Sequence, residues 1–126
     1  MAIVLTPDGI LLHLRDDKPW IPHPGCWSLF GGAVDDDEIP EQTMRRELRE
    51  ELALSEVDLR AVWRLVDDDG DGRLLTIFEA RTPLRAGEMT LAEGQALGAF
   101  DISSALDLKL ATFCRRTLAR YAQTHS

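Results

Sequence analysis

Between Pro40 and Leu52 the sequence carries a helix whose charges are sorted by sign, and most of the chain on either side of it reads as strand and turn. Pro40 suits a first helical turn, where a missing N–H costs nothing. Asp36, Asp37, Glu38 and Glu41 cluster near the positive end of the helix dipole. At about 100° per residue, Met44, Leu48 and Leu52 share an apolar sector, Arg45, Arg46 and Arg49 a basic one, and Glu47, Glu50 and Glu51 an acidic one. A solvated helix gains from opposite charges interleaved four apart, preferably with the acid first. Inside the charged run the only such pair, Arg46 with Glu50, has the less favoured order. Helix stability therefore does not explain the pattern. Two unit charges about 6 Å apart cost roughly 3 kcal/mol at an effective dielectric of about 20, so carboxylates gathered on one face in a cleft call for a cation. Hard oxygen ligands suit Mg²⁺ or Mn²⁺, whose shell a substrate's phosphates can complete.

The flanks supply a sheet. Ile3 to Leu5 and Ile10 to Arg15 are β-prone runs around Thr6-Pro7-Asp8-Gly9, a turn sequence, and predict a hairpin. From Asp16 to Gly32 the prolines and glycines forbid a long helix and predict an irregular loop with Trp27 to Phe30 extended inside it. Leu59 to Val66 and Leu74 to Arg81 read as a second hairpin across an acidic, glycine-containing turn. That turn, Asp67-x-Asp69-x-Asp71-Gly72, fits the start of an EF-hand calcium loop. It fails at position twelve, where Phe78 stands and Glu79 comes one place late. After a turn-rich stretch from Pro83 to Gly94, Ala96 to Phe100 reads as a strand and Leu106 to Tyr121 as a helix. Strands on both sides of one helix, with another helix at the end, predict an α/β (α+β) domain: a mixed sheet covered by helices.

Composition narrows the partners. The 126 residues hold 22 acids and 14 bases, a net charge of −8, which argues against a nucleic-acid polymer as ligand. No apolar run approaches the roughly 20 residues of a membrane span, and Met1 to Leu5 lacks the basic start of a secretory signal, so the reading is a cytoplasmic protein. Cys26 and Cys114 have no metal-ligand spacing and read as reduced thiols.

Gly32 is followed after five residues by Glu38, and after seven more by Arg46-Glu47-Leu48-Arg49-Glu50-Glu51-Leu52-Ala53-Leu54. This resembles the Nudix box of the MutT-type Nudix hydrolases, G-x5-E-x7-R-E-U-x-E-E-x-G-U with U aliphatic. Six of the seven fixed letters and both aliphatic positions match. At a usage of roughly 5 to 7% per residue, six such coincidences have odds of about one in ten million. The departure is Ala53 in place of the last glycine, which predicts a displaced helix exit, because a left-handed residue there costs alanine about 1 kcal/mol or more. Phe30-Gly31-Gly32 also lacks the proline that many members place before the glycines.

The resemblance implies a single domain over residues 1–126, with the box at 32–54 and an α/β/α sandwich around a mixed sheet. It implies Mg²⁺-dependent hydrolysis of the diphosphate linkage in a small-molecule nucleoside diphosphate derivative, by water attack at phosphorus. Carried over, the metal ligands are Glu47, Glu50 and Glu51 with a carbonyl from Gly31 or Gly32, while Glu38 and Arg46 form an orienting pair. Leu91-Ala92-Glu93-Gly94-Gln95 resembles a downstream loop of the family, which makes Glu93 a further ligand or the general base; Glu79 is the alternative in that role and Glu47 shares the base assignment. Substrate contacts must come from outside the box: Arg15 for a phosphate, and Phe30, Phe78, Trp20 or Trp27 for stacking on a base. His13 and His23 stand alone, His13 on a strand face. The family often forms homodimers. The rival reading is a Nudix-like module that binds a nucleotide without hydrolysing it, against which the full Glu47, Glu50, Glu51 set speaks.

Overall fold

The computed structural model of the chain describes residues 1–31, 39–66 and 74–125. Gly32, Glu38, the aspartates 35–37 and the 67–72 turn lie outside the described residues.

Strands β1 (Ala2–Thr6) and β2 (Gly9–Leu14) form the expected hairpin, with Thr6 opposite Gly9 and Val4 opposite Leu11. The turn is closed by Thr6 Oγ1, which donates to the Gly9 carbonyl at 2.9 Å and accepts from the Asp8 amide at 3.1 Å. Only glycine fits at its exit: φ is +129°, and a Cβ on Gly9 would stand 2.5 Å from the Phe100 carbonyl oxygen. Strand β3 (Trp27–Ser28) pairs with the end of β2, and Phe30 bridges to Ala2. Helix α1 (Pro40–Leu52) and strand β4 (Asp58–Val66) follow, then β5 (Leu74–Arg81), which runs antiparallel to β4 but parallel to β1. Strand β6 (Ala96–Phe100) adds to β2. The six-stranded sheet is thus mixed, as the element order predicts.

Alternation along the strands sends side chains to both faces. Ala2, Val4, Leu11, Phe78 and Ala80 pack with Met44, Leu48 and Leu52, the apolar sector of α1. Ile3, Ile10, Leu12 and Ile77 point the other way, onto Phe113, Cys114, Leu118 and Tyr121 of the C-terminal helix. At about 1.5–3 kcal/mol for each large apolar side chain fully buried, these two layers hold α1 and the C-terminal helix on opposite faces of one sheet.

Two expectations need correction. The Leu106 to Tyr121 helix is instead two helices, α2 (Ile102–Leu106) and α3 (Thr112–His125). Asp101 starts α2 by accepting from the Ser104 amide at 2.8 Å. The chain then leaves the helix because β3 takes its backbone: the Trp27 amide donates to the Lys109 carbonyl at 2.8 Å, and the Ala111 amide to the Trp27 carbonyl at 3.1 Å. Arg115 holds the break by donating to the carbonyls of Leu106 and Leu108 at 2.8 and 2.6 Å. The exit of α1 is not displaced either. Ala53 adopts the left-handed conformation itself, at φ 55° and ψ 29°. Its amide bonds Arg49 O at 2.9 Å, the closure of an αL cap, and the Leu54 amide bonds Leu48 O at 3.2 Å, with Leu54 and Leu48 buried in the same cluster.

Candidate active site

The acidic sector of α1 is turned away from the sheet core, and Arg46 sits beside it. One guanidinium nitrogen, Nη1, donates to Glu47 Oε1 at 3.1 Å and to Glu50 Oε2 at 3.2 Å. Glu38 lies outside the described residues, so Arg46 is seen here steadying two of the glutamates. Glu51, one turn after Glu47, is the most perturbed of the set. Burial, and then the Glu47, Glu93 and Glu50 carboxylates, push its pKa up to about 8. Its Oε2 is buried and has no hydrogen-bond partner among the described residues. A carboxylate oxygen shielded from water and left unpaired is a position to be filled by a cation or a proton.

Glu93 reaches this cluster through its loop. The Ala92 amide donates to the Glu51 carbonyl at 2.9 Å, tying the loop to the last turn of α1. On the other side of Glu93, the Gln95 amide bonds Leu14 O and its Nε2 bonds Arg15 O, both at 2.8 Å, which ties the loop to the end of β2. Gly94 between these tethers has φ +108°, and a Cβ there would stand 2.8 Å from Leu14 O. Glu47, Glu50 and Glu93 thus all lie near enough to Glu51 for their charges to raise its pKa. Gly31 lines the same cavity of about 280 Å³ as Glu51. The oxygen donor set and the orphaned Glu51 oxygen fit a hard divalent cation. Among the described residues no group of three or more His, Cys, Asp or Glu side chains stands ready to hold a metal ion.

Glu79 does not join them. It is 2% exposed on the sheet face covered by α3, where it accepts from Tyr121 Oη at 3.1 Å and from Arg81 Nε at 2.8 Å, with Arg60 at 3.6 Å. The desolvated, carboxylate-paired Tyr121 hydroxyl has its pKa pushed up to about 12. A carboxylate held by two arginines and a phenol is a structural anchor, so the alternative base assignment is withdrawn.

The stacking candidates separate in the same way. Phe30 is fully buried and Phe78 nearly so, both in the layer under α1, which removes them from substrate contact. Trp27 packs edge-on against Phe100 at 5.1 Å. Trp20 alone of the four is open, at 77%. Arg15 lies at the cluster's edge, lining both the cavity that holds Glu51 and a larger one of about 480 Å³ that ends on Glu93. Its Nε donates to Pro22 O at 2.9 Å. His13, which the sequence left without a role, lines both cavities as well. Its ring stacks on Phe30 at 4.8 Å and its Nε2 is 3.2 Å from Leu29 O; a carbonyl only accepts, so the proton is on Nε2 and Nδ1 is bare. The polar residue inside the apolar run of β2 was the signal available for it.

Comparison with known proteins identifies the family of the domain. The model of the NUDIX domain matches residues 1–120. A nucleoside triphosphatase, NudI, of Escherichia coli is 37% identical over 71 residues, 52% of this chain and 47% of that protein, so the match spans about half the length of that relative. Among solved structures, a mutT/nudix family protein from Listeria innocua superposes with a TM-score of 0.78 at 28% identity, over 98% of this chain and 89% of that one. The Escherichia coli ORF135 protein gives 0.76 at 28% identity, over 99% and 87%. With the box helix, the mixed sheet and the family match in agreement, the chain belongs to the Nudix domain family.

Proposed function

We propose that this chain is a divalent-metal-dependent pyrophosphohydrolase, cleaving the diphosphate linkage of a nucleoside diphosphate derivative by attack of water on phosphorus. The observation that carries the proposal is Glu51: a buried carboxyl one turn from Glu47, with an unpartnered oxygen and a pKa near 8 that neighbouring carboxylates help to raise. Such an arrangement stores repulsion that a bound Mg²⁺ or Mn²⁺ relieves. A triphosphatase among the relatives agrees with this chemistry.

The roles follow from position. Glu47, Glu50 and Glu51, with Glu93 and the Gly31 carbonyl, would hold the metal, which when bound supplies charge neutralisation of the diphosphate and a more acidic water. Glu93 or Glu47 takes the proton of the attacking water. Arg46, with Glu38 as its expected partner, orients the box helix against the preceding loop. Arg15 meets a phosphate with the terminal nitrogens that its bond to Pro22 leaves over. The substrate is a small molecule rather than a nucleic-acid polymer, and the metals invert the local sign that a net charge of −8 would otherwise present to it.

Phosphate or nucleotide release from nucleoside triphosphates, nucleotide sugars, dinucleoside polyphosphates and NAD-type compounds, with and without Mg²⁺, tests the reading. Turnover of at least one class, dependent on metal and lost in Glu51→Gln, is expected. If every class stays intact with Mg²⁺ and Mn²⁺, the chain is a binding module.

A further inference from the structure

Strand β3 ends at Ser28, and the residue that follows it has its backbone held by side chains. The Leu29 amide donates to Cys114 Sγ of α3 at 3.4 Å, while the Leu29 carbonyl accepts from His13 Nε2 of β2 at 3.2 Å and from Ser28 Oγ at 3.0 Å. Cys114 Sγ and Ser28 Oγ are themselves 3.4 Å apart. A hydroxyl has one proton to give. Because that proton goes to the Leu29 carbonyl, the thiol is the donor between Cys114 and Ser28. Three hydrogen bonds then close a ring: Leu29 N–H to sulfur, S–H to Ser28 Oγ, and Ser28 O–H to the Leu29 carbonyl. Burial raises the pKa of Cys114, which keeps the proton on sulfur. Gly31, two residues on, is fixed from β1 as well. The Ala2 amide donates to the Phe30 carbonyl at 2.8 Å, the His13 ring stacks on Phe30 at 4.8 Å, and a Cβ on Gly31 would stand 3.1 Å from Met1 Cα. Cys114, His13, Leu29, Gly31 and Glu51 all line the cavity of about 280 Å³. Two elements that carry none of the box glutamates, β2 and α3, thus converge on the segment that leads into Gly31.

We propose that His13 and Cys114 are positioning residues of the metal site: they clip the Leu29 backbone from two sides and so hold Gly31 at the cavity it shares with Glu51. The assignment rests on the reading of the Gly31 carbonyl as a metal ligand in the hydrolase, and adds what keeps that oxygen in place. Neither side chain supplies a ligand. A backbone oxygen has no rotamer with which to adjust, so its place relative to the carboxylates is set by the residues leading into it. The clip also gives the buried thiol a use that metal-ligand spacing did not: sulfur is long enough to reach the Leu29 amide from α3 while its proton serves Ser28.

Mn²⁺ binding to the full chain, followed by the loss of the free-ion EPR signal and therefore independent of turnover, tests this. Cys114→Ala and His13→Leu each remove one side of the clip and should weaken Mn²⁺ binding about tenfold, the scale of a lost support behind a metal ligand. Cys114→Ser and His13→Gln keep a hydrogen-bonding group at each position and should recover most of the affinity. Tyr121→Phe, on the same helix but bonded to Glu79 rather than Leu29, should lower the melting temperature and leave Mn²⁺ affinity unchanged, which separates positioning from stability. Should Cys114→Ala fail to fold, the two His13 variants decide. Wild-type Mn²⁺ affinity in folded Cys114→Ala or His13→Leu, or an equal loss in Tyr121→Phe, overturns the clip. Weakened Mn²⁺ binding in the clip variants of a chain that turns over no substrate class supports the clip and overturns hydrolysis alone. A wild-type chain that binds no Mn²⁺ overturns both.

Discussion

At the residue scale, Glu51 is the most strongly perturbed acid among the described residues. Its carboxyl titrates near 8 instead of the ordinary 4.5. An acid whose folded pKa is raised binds more protons folded than unfolded, so its favourable contribution is complete below the unfolded value and is lost as pH rises towards 8. For the metal-free protein, the melting temperature should fall between about pH 5 and pH 8, with a share on the order of a few kcal/mol assigned to this residue. Glu51→Gln should flatten that slope and melt higher than wild type at pH 8 while losing at least about 100-fold in turnover, the scale of a removed electrostatic contact to the reacting group. Parallel melting curves for the two proteins across this range would count against the buried, crowded carboxyl. That Glu51 shares a helix face with Glu47 and Glu50 was legible from box spacing. Its protonation was not, because that depends on burial and on Glu93, forty-two positions away in sequence and adjacent only through the Ala92 tether.

At the scale of elements, the exit of α1 and the buried anchor behind β5 each yield a test. Ala53 holds a left-handed conformation that glycine adopts without strain, so Ala53→Gly should raise stability by about 1 kcal/mol in chemical denaturation, with activity unaltered. A destabilised variant would mean that the strain is compensated elsewhere. Tyr121 donates to the buried Glu79 carboxylate, and Tyr121→Phe should cost about 1–2 kcal/mol, because a hydrogen bond to a buried charge is lost. Its metal-dependent turnover should keep the wild-type pH profile, since Glu79 faces α3 rather than the box helix; a shifted profile would bring Glu79 back into the chemistry. Local sequence signals located α1, β5 and β6 well. They failed between Leu106 and Ala111, where an apolar, helix-compatible stretch is diverted to give Trp27 a backbone partner.

At the scale of the whole molecule, an acidic chain brings Glu93 towards the glutamates of α1 by tethering its loop to Glu51, Leu14 and Arg15. Chelation should abolish turnover, and Mg²⁺ or Mn²⁺ should restore it. Adding Mg²⁺ should raise the melting temperature more at pH 8, where Glu51 is forced to ionise, than at about pH 5, where a proton competes with the ion. A metal effect equal at both pH values would separate ion binding from this cluster. No helix among the described residues is long and apolar enough to cross a membrane. The sequence alone determined the hairpins, the box helix, the mixed sheet and the glutamates that share a helix face, since each follows from periodicity, turn chemistry or spacing within a short stretch of chain. Only the tertiary structure decided that Glu93 joins those glutamates and Glu79 does not, that Phe30 and Phe78 are core while Trp20 is open, and that His13 stands at the junction of two cavities. Those outcomes depend on which face of the sheet a side chain meets and on which distant backbone closes a loop, and local sequence pattern carries neither.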